Sequence, residues 1–371
     1  MYTETLSLWQ YLSGIEAAET DLGITEPINF PPKPIIIYGM GNGADKILAV
    51  MERRGLSPAG FMASDEFVRG RSFRGFDVKK LEDIQKEYKN FIILVAFGTN
   101  RPDVMEKIYN LSEKYEVYVP DVPVYGDLDV IFNENYAAEN AQKIASVREI
   151  FADEKSKDVF DKLIDYRLSG KLEPLRDSVS PREEAVKLLG LKSNGSEVFM
   201  DFGAYDGDTA QEFAEITGGN YDKIYAFEPD FRSFCKLRRR HYLLTPVKLE
   251  AINAAVWNKD GEESFTNAGG RQSSLGKGKP VKTIKADSFC ESRKIKPTFM
   301  KFDVEGCEAG ALAGAETIIK KYKPKLEISL YHRTEDLFDL PQAVRKLNPK
   351  YKLYLRRHDY IPAWDINLYC I

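Results

Sequence analysis

The chain has 371 residues and a formal net charge of −4, from 53 basic and 57 acidic side chains. Because no long basic run accompanies this balance, nucleic acid is not expected as the main partner. Four scattered cysteines without a CxxC pair predict neither a zinc site nor a disulfide framework. No apolar run approaches the roughly 18 residues that span a bilayer and no secretion signal opens the sequence, so a cytoplasmic protein without a membrane span is expected. The length exceeds one ordinary core and predicts two domains.

Residues 1–33 predict a short amphipathic helix. Leu6, Trp9, Leu12 and Ile15 fall on one face of such a helix, and the prolines that begin at position 31 end it. We expect this N-terminal helical segment to pack as a cap on the first domain.

Residues 34–132 predict a Rossmann-like domain, because short apolar runs alternate with amphipathic segments. Alternation at these lengths favours a parallel sheet covered by helices on both faces. The strands are expected at Ile35–Tyr38, Ala59–Ala63, Phe91–Phe97 and 116–119, and the helices at Lys46–Arg54, 79–88 and 102–114.

The first turn of this domain has a dinucleotide-type glycine spacing. Gly39, Gly41 and Ala44 match a GxGxxA pattern, and Asp65 follows twenty-one residues after Ala44. Such a turn could hold a nucleotide or a nucleotide-sugar at Gly39, Gly41 and Asp65. The alternative, a domain that keeps the fold for packing and binds nothing, has equal weight on this evidence.

Residues 133–192 predict a helical bridge between the two sheets. Ala137–Phe151 and Ser156–Leu168 have apolar residues at three- and four-residue spacing, which is typical of helices with one buried face. Ser180 to Glu183 has the pattern of a capping box with proline at the first helical position, and Gly190 would end that helix. This bridge is expected to cover the second site.

Residues 193–371 predict a second nucleotide-type sheet. Val198–Phe202 reads as a buried strand that runs directly into a glycine turn, and Glu228 follows Gly207 by twenty-one residues. A doubly wound nucleotide site places a carboxylate at about that distance, where it binds the ribose hydroxyls of an adenosine. Asp201, Asp206 and Asp208 at the turn would repel a pyrophosphate. The turn therefore favours S-adenosylmethionine, which has a sulfonium, an ammonium and no phosphate.

Polar groups are expected to converge at the carboxyl ends of the second set of strands, where an open α/β sheet binds its ligand. Strand ends are predicted before Asn253, at Asp303 and before His332, and a single helix is predicted at 308–321. The candidate cofactor-binding residues are Asp201, Gly203, Ala204, Tyr205, Asp206, Gly207, Glu228, Pro229, Asn253, Ala254 and Asp303.

Residues 197–332 resemble the FkbM family of S-adenosylmethionine-dependent methyltransferases. The family pattern appears as VFMDFGAYDGDT, AFEPD, AINAAVW, QSSLG, KADSF, MKFDVEGCEAGALAGA and KPKLEISLYH. Tyr205-Asp206 departs from it, because many members have asparagine before the second glycine. The resemblance implies a class I methyltransferase fold and O-methylation, often of a sugar or polyketide hydroxyl. The first domain resembles the small Rossmann-like domain that precedes some sugar-modifying enzymes.

Methyl transfer needs alignment of oxygen, methyl carbon and sulfur, and a group that accepts the hydroxyl proton. Asp303 is the first candidate for both tasks, because it ends the central strand beside the expected methyl group. His332 is the second, since neutral imidazole accepts protons near pH 7. Lys301 and Glu305 flank Asp303 and complete the catalytic candidates.

Each candidate has an alternative without catalysis. Lys301 and Glu305 could pair as ions within the fold, and His332 could be a strand-end residue with ordinary hydrogen bonds. Asp303, His332 and Glu305 could also hold a divalent metal, but no clear ligand spacing supports one and none is predicted. The segment Asn267–Lys279 could be a lid or a plain loop.

The fold class predicted is α/β, with two doubly wound Rossmann-like domains joined by a helical segment. The domains are expected at 34–132 and 193–371. The predicted function is S-adenosylmethionine-dependent O-methylation of a sugar or glycan-type hydroxyl. The alternative is a nicotinamide-dependent oxidoreductase, or a non-catalytic nucleotide-sugar binding protein, that uses the first sheet.

Overall fold

The structure is a computed structural model that describes residues 6–19, 25–29, 32–64, 68, 70, 72–126, 128, 130–244, 248–266, 274–275 and 279–371. Asp65 and most of the segment Asn267–Lys279, on which two of the predictions depend, lie outside the described residues.

The chain begins with a short helix and a hairpin. Helix α1 (Leu8–Leu12) is capped by Ser7, whose hydroxyl accepts a hydrogen bond from the Gln10 N–H. Strands β1 (Ile15–Glu19) and β2 (Thr25–Asn29) then pair antiparallel. The expectation that Ile15 extends the helix is wrong, because Gly14 has a left-handed backbone with φ of +83° and Ile15 begins β1.

The first large sheet has six strands in the order β5-β6-β4-β3-β7-β8, and all neighbours except β5 and β6 pair in parallel. The predicted strands and helices are present, and the hairpin β5-β6 is an addition that the sequence did not reveal. The strands are β3 (Ile35–Tyr38), β4 (Gly60–Met62), β5 (Ser72–Phe73), β6 (Phe76–Lys79), β7 (Ile92–Val95) and β8 (Glu116–Tyr118), and the helices are α2 (Asn42–Arg53), α3 (Leu81–Glu87) and α4 (Pro102–Ser112).

Five helices connect the two large sheets: α5 (Glu134–Glu139), α6 (Ala141–Glu149), α7 (Glu154–Ser169), α8 (Leu172–Asp177) and α9 (Arg182–Leu189). The capping box predicted at α9 is wrong. Pro181 is the N-cap residue, and the buried Ser180 hydroxyl has no hydrogen-bond partner. The backbone explains this, because the Ser180 N–H donates to the Arg357 carbonyl and ties the chain to the second sheet.

The second large sheet has seven strands in the order β11-β10-β9-β16-β17-β19-β18. Strand β19 is antiparallel to both of its neighbours, and the other pairs are parallel. The strands are β9 (Val198–Phe202), β10 (Lys223–Phe227), β11 (Leu249–Ile252), β16 (Phe299–Phe302), β17 (Lys325–Ser329), β18 (Leu353–Arg357) and β19 (Ile366–Cys370).

A small four-stranded sheet and six helices complete the fold. The small sheet has β12 (Ala255–Trp257), β13 (Gly261–Thr266), β14 (Ser274–Leu275) and β15 (Lys279–Lys285). The helices are α10 (Asp208–Ile216), α11 (Phe231–Leu244), α12 (Ala286–Arg293), α13 (Glu308–Ala313), α14 (Glu316–Tyr322) and α15 (Asp336–Leu347). The single helix expected at 308–321 is therefore two helices.

The carboxyl edges of the two large sheets meet. One hydrophobic core cluster runs from Ile93 in the first sheet through Phe160 of α7 to Met300 in the second. Beyond β7, Thr99 exchanges two backbone hydrogen bonds with Ile361, at 2.7 and 2.9 Å. The two edges that each sheet would use for a ligand thus enclose one space.

Candidate active site

A cavity of about 580 Å³ lies between these edges, within the usual size range of small-molecule sites. The second sheet supplies most of its wall, and Asn100 and Val124 come from the first. Of the candidates from the sequence, the lining includes Gly203, Tyr205, Glu228, Pro229, Ala254, Lys301, Asp303 and Glu305. It includes neither Gly39 nor Gly41.

The turn after β9 is fixed by contact with the neighbouring strand. Gly203 has φ of +87°, and a Cβ at this position would lie 1.8 Å from the Asp303 carbonyl oxygen. Only glycine can therefore bring the turn against the end of β16. Tyr205 also has a left-handed backbone, with φ of +46°, and Gly207 begins α10 from the same conformation.

Asp201 lies beneath the cavity and does not line it. Its side chain is fully buried, and neither carboxyl oxygen has a hydrogen-bond partner. Burial raises the pKa of Asp201 to about 7, although Lys301, directly opposite in the strand register, opposes the shift. This placement does not fit the expectation that Asp201 contacts a cofactor, because no part of the residue is exposed to the cavity.

Glu228 directly follows β10 and lines the cavity with 7% of its surface exposed. Its carboxylate accepts hydrogen bonds from the Tyr205 N–H at 2.9 Å and from the Asp230 N–H at 2.8 Å. Burial raises the pKa of Glu228 to about 8. A carboxyl group held in this way has unused acceptor capacity toward hydroxyl donors in the cavity.

The remaining residues predicted to bind the cofactor differ in whether they line the cavity. Ala204 is buried, and Asp206 and Gly207 are absent from the cavity lining. Asn253 is exposed, and its amide donates to the backbone carbonyls of Glu228 and Pro229. Asn253 thus braces the Glu228 loop from outside, while Ala254 lines the cavity.

Lys301 and Asp303 form an ion pair at the cavity floor. The Lys301 Nζ lies 2.9 Å from Asp303 Oδ2, and the Tyr331 hydroxyl lies 3.3 Å from Asp303 Oδ1. Burial opposes ionisation of both groups, but Lys301 and His332 outweigh it and lower the pKa of Asp303. Asp303, Asp201 and Glu327 likewise raise the pKa of Lys301. A carboxylate with a lowered pKa is a weak base, so the geometry suits Asp303 for positioning better than for proton removal.

His332 is fully buried and is absent from the cavity lining. Its Nε2 lies 3.2 Å from Glu305 Oε2, and its Nδ1 lies 3.0 Å from Glu308 Oε1. Burial favours the neutral ring, but Glu308 and Glu305 outweigh it and raise the pKa of His332 well above its ordinary value. Carboxylates at both ring nitrogens thus favour the charged ring of His332 over the neutral proton acceptor predicted from the sequence.

Glu305 has a strained backbone and a carboxylate that lines the cavity. Its φ of +54° lies in the left-handed region, which costs a non-glycine residue free energy and is typical of functional sites. Burial raises the pKa of Glu305, with partial opposition from His332. Glu305 is thus the more basic of the two carboxylates in the sequence Asp303-Val304-Glu305.

The possible metal cluster consists of Asp303, Glu308 and His332, whose ligand atoms lie within 4.8 Å of one another. Glu308 replaces the Glu305 considered from the sequence. Glu308 and Glu305 face different ring nitrogens of His332. A single metal ion bound to one ring nitrogen therefore cannot take the place of both ion pairs.

Several lining residues were not found from the sequence. Arg182 at the start of α9 contacts Glu327 at 3.0 Å and Glu212 at 2.7 Å. Tyr360 and Trp364 come from the loop between β18 and β19, and Asn100 follows β7. No local motif marks these residues, because distant segments bring them together.

The sheet order and the cavity at its carboxyl edge define a methyltransferase fold. A methyltransferase FkbM from Methylobacillus flagellatus KT is 18% identical, with a TM-score of 0.69 over 91% of this chain and 90% of that one. An rRNA methylase from Streptococcus thermophilus is 15% identical over 52% of this chain and 95% of its own, with a TM-score of 0.35. Fibrillarin from Aeropyrum pernix in complex with S-adenosyl-L-methionine is 12% identical over 51% and 74%, with a TM-score of 0.32. The first match shows the fold of this chain.

Residues 201–362 match the family model of the methyltransferase FkbM domain. Residues 201–362 therefore form an FkbM methyltransferase domain, in the region where the sequence predicted one. No curated protein sequence matches the chain. No helix among the described residues is long and apolar enough to cross a membrane.

Proposed function

We propose that the protein transfers a methyl group from S-adenosylmethionine to a hydroxyl of a sugar or glycan-type acceptor. The observation that carries this proposal is the position of Glu228, a buried carboxyl group at the end of β10 that faces the cavity. A carboxylate at that position suits the two ribose hydroxyls of an adenosine.

The residues present fit this methyl donor. Seven carboxyl groups and two basic side chains line the cavity, which favours a ligand with a sulfonium and an ammonium over one with a pyrophosphate. Gly203 and Tyr205 bring the turn after β9 close to Glu228. In this arrangement Glu228 would bind the ribose, and the turn would lie beside the methionine part.

When bound, S-adenosylmethionine supplies an activated methyl group on sulfur. The acceptor oxygen would take this methyl group, with S-adenosylhomocysteine as the other product. Glu305, the more basic of the two neighbouring carboxylates and part of the cavity lining, would accept the hydroxyl proton. The Lys301–Asp303 pair, fixed by its ion contact, holds the acceptor in line.

Ligand-dependent thermal stability tests this proposal against use of the first sheet. S-Adenosylhomocysteine at one hundred times its dissociation constant adds about 2.7 kcal/mol of apparent stability if it binds the folded chain alone. We expect that stabilisation with S-adenosylhomocysteine and none with NAD or a nucleotide-sugar. Stabilisation by NAD alone would instead indicate a nicotinamide-dependent protein, and stabilisation by a nucleotide-sugar alone a binding protein.

A further inference from the structure

We propose that the end of the cavity next to β19 binds an uncharged sugar ring of the acceptor, with Trp364 as the stacking surface and Asn100 as a polar contact. This inference rests on the proposed function and deepens it. It assigns a substrate-binding role to a residue of the first sheet.

The strand order separates this end from Glu228. Glu228 follows β10, and the loop with Trp364 precedes β19, four positions away in the sheet. At about 4.8 Å between neighbouring strands, the two ends lie roughly 19 Å apart. Asp303 and Glu305 follow β16, between them. A donor held at Glu228 thus leaves the β19 end of the cavity for the acceptor.

Two aromatic rings form the wall at this end. Tyr360 and Trp364 have ring centroids 5.4 Å apart and an angle of 36° between ring planes. Trp364 is half-buried, so part of its surface remains open to the cavity. A large, rigid aromatic surface suits the C–H face of a sugar ring, whose hydroxyls point outward to polar partners.

The first sheet fixes this aromatic wall and adds a polar group to it. A Cβ on Gly98 would lie 2.2 Å from Trp364 Cζ3, so the indole packs directly on the backbone that follows β7. The paired backbone hydrogen bonds of Thr99 and Ile361 hold the two segments together. Asn100, two residues beyond Gly98, is exposed and lines the same cavity. Its amide can both donate to and accept from sugar hydroxyls.

The charges of the cavity select an acceptor without phosphate or carboxylate groups. Both basic side chains in the lining are ion-paired, Lys301 with Asp303 and Arg182 with Glu212 and Glu327. A phosphorylated sugar would lie among carboxylates, and every basic side chain of the described lining is already ion-paired. A neutral glycoside avoids this repulsion.

The test uses the full chain, S-adenosylmethionine and matched acceptors: neutral methyl glycosides, the corresponding uronic acids, UDP-glucose, and catechol. Release of S-adenosylhomocysteine gives kcat/KM, and saturation-transfer NMR with S-adenosylhomocysteine present reports acceptor binding directly. We expect a neutral glycoside to exceed its uronic acid at least tenfold. Trp364→Ala should raise the KM of that glycoside at least tenfold, Trp364→Phe should restore most of the loss, and Asn100→Ala should raise the KM severalfold. The affinity for S-adenosylhomocysteine should stay unchanged in all three variants.

The inference is overturned if the uronic acid, UDP-glucose or catechol is preferred, if Trp364→Ala leaves acceptor binding intact, or if none of the neutral glycosides binds. These outcomes differ from failure of the proposed function, in which calorimetry detects no S-adenosylhomocysteine binding to the unmodified chain. Thermal unfolding of each variant identifies a loss that arises from misfolding.

Discussion

The carboxyl edges of the two large sheets have the same local design and opposite chemistry. Each has a buried strand, a turn with a left-handed glycine and a helix, at Gly39 in the first sheet and at Gly203 in the second. Each edge also has a buried or half-buried lysine. Lys46 donates to the backbone carbonyls of Pro123 and Val124, at 2.7 and 2.6 Å. Lys301 instead pairs with the Asp303 carboxylate.

The two lysines show how the edges differ. Burial lowers the pKa of Lys46, which donates hydrogen bonds to neutral carbonyls, whereas nearby carboxylates raise the pKa of Lys301 despite its burial. The first edge thus uses its lysine to fix a loop at the cavity wall. The second edge uses its lysine to compensate carboxylates at the cavity floor. A glycine turn therefore indicates a possible site, and the surrounding charges indicate what that site can bind.

Replacing each lysine by methionine tests this difference most strongly. Lys301→Met leaves Asp201, Asp303 and Glu327 without their buried cation, and we expect a loss of about 3–5 kcal/mol in the free energy of unfolding. Lys46→Met removes hydrogen bonds to neutral groups and should cost about 1 kcal/mol. Urea denaturation followed by circular dichroism measures both values.

Lys320→Met is the control, because Lys320 is half-exposed and pairs only with Glu316 on its own helix. Its loss should stay below about 0.5 kcal/mol. Equal losses for Lys301→Met and Lys46→Met would contradict the distinction between the two edges.

Glu305→Gln tests which carboxylate of the second edge accepts the hydroxyl proton. If Glu305 accepts the hydroxyl proton, the variant should lose about 100-fold in kcat while its affinity for S-adenosylhomocysteine stays the same. In the unmodified enzyme kcat should rise with pH as Glu305 loses its proton, above the ordinary pH range of a glutamate because its pKa is raised. The variant should lack this rise.

Glu262→Gln is the matched control, since Glu262 is exposed on β13 and is absent from the cavity lining. An unchanged kcat and pH profile in Glu305→Gln would assign proton removal to another group. Asp303→Asn would then be the next variant to measure.

Local sequence patterns predicted most of the fold. The strands Ile35–Tyr38 and Val198–Phe202 have the predicted bounds, because continuous apolar runs before glycine turns depend little on distant contacts. The hairpin β1-β2 and the division of 308–321 into two helices were missed. The capping box predicted at Ser180 also failed because of a distant contact: the Ser180 N–H donates a hydrogen bond to the carbonyl of Arg357, far away in the sequence.

From the sequence, a residue of the candidate site could be predicted only where it directly follows a strand. Glu228 and Asp303 line the cavity as their positions after β10 and β16 imply. Whether a carboxyl lines the cavity depends on the tertiary packing that covers it: Asp201 is fully buried, although its register partner Lys301 lines the cavity. The burial of His332 between Glu305 and Glu308 depends on tertiary packing. Trp364 and Asn100 meet only because the two sheets dock.

Calorimetric titration of S-adenosylhomocysteine into the unmodified chain and into Glu228→Gln tests the cofactor assignment most directly. Glutamine keeps one acceptor oxygen for the loop but replaces the other with an NH2 group, which cannot accept a hydrogen bond from a ribose hydroxyl. We expect binding to the unmodified chain and an affinity about tenfold weaker in the variant, or about 1.4 kcal/mol. Equal affinities, or no binding to the unmodified chain, would contradict the proposal that this edge holds an adenosyl donor.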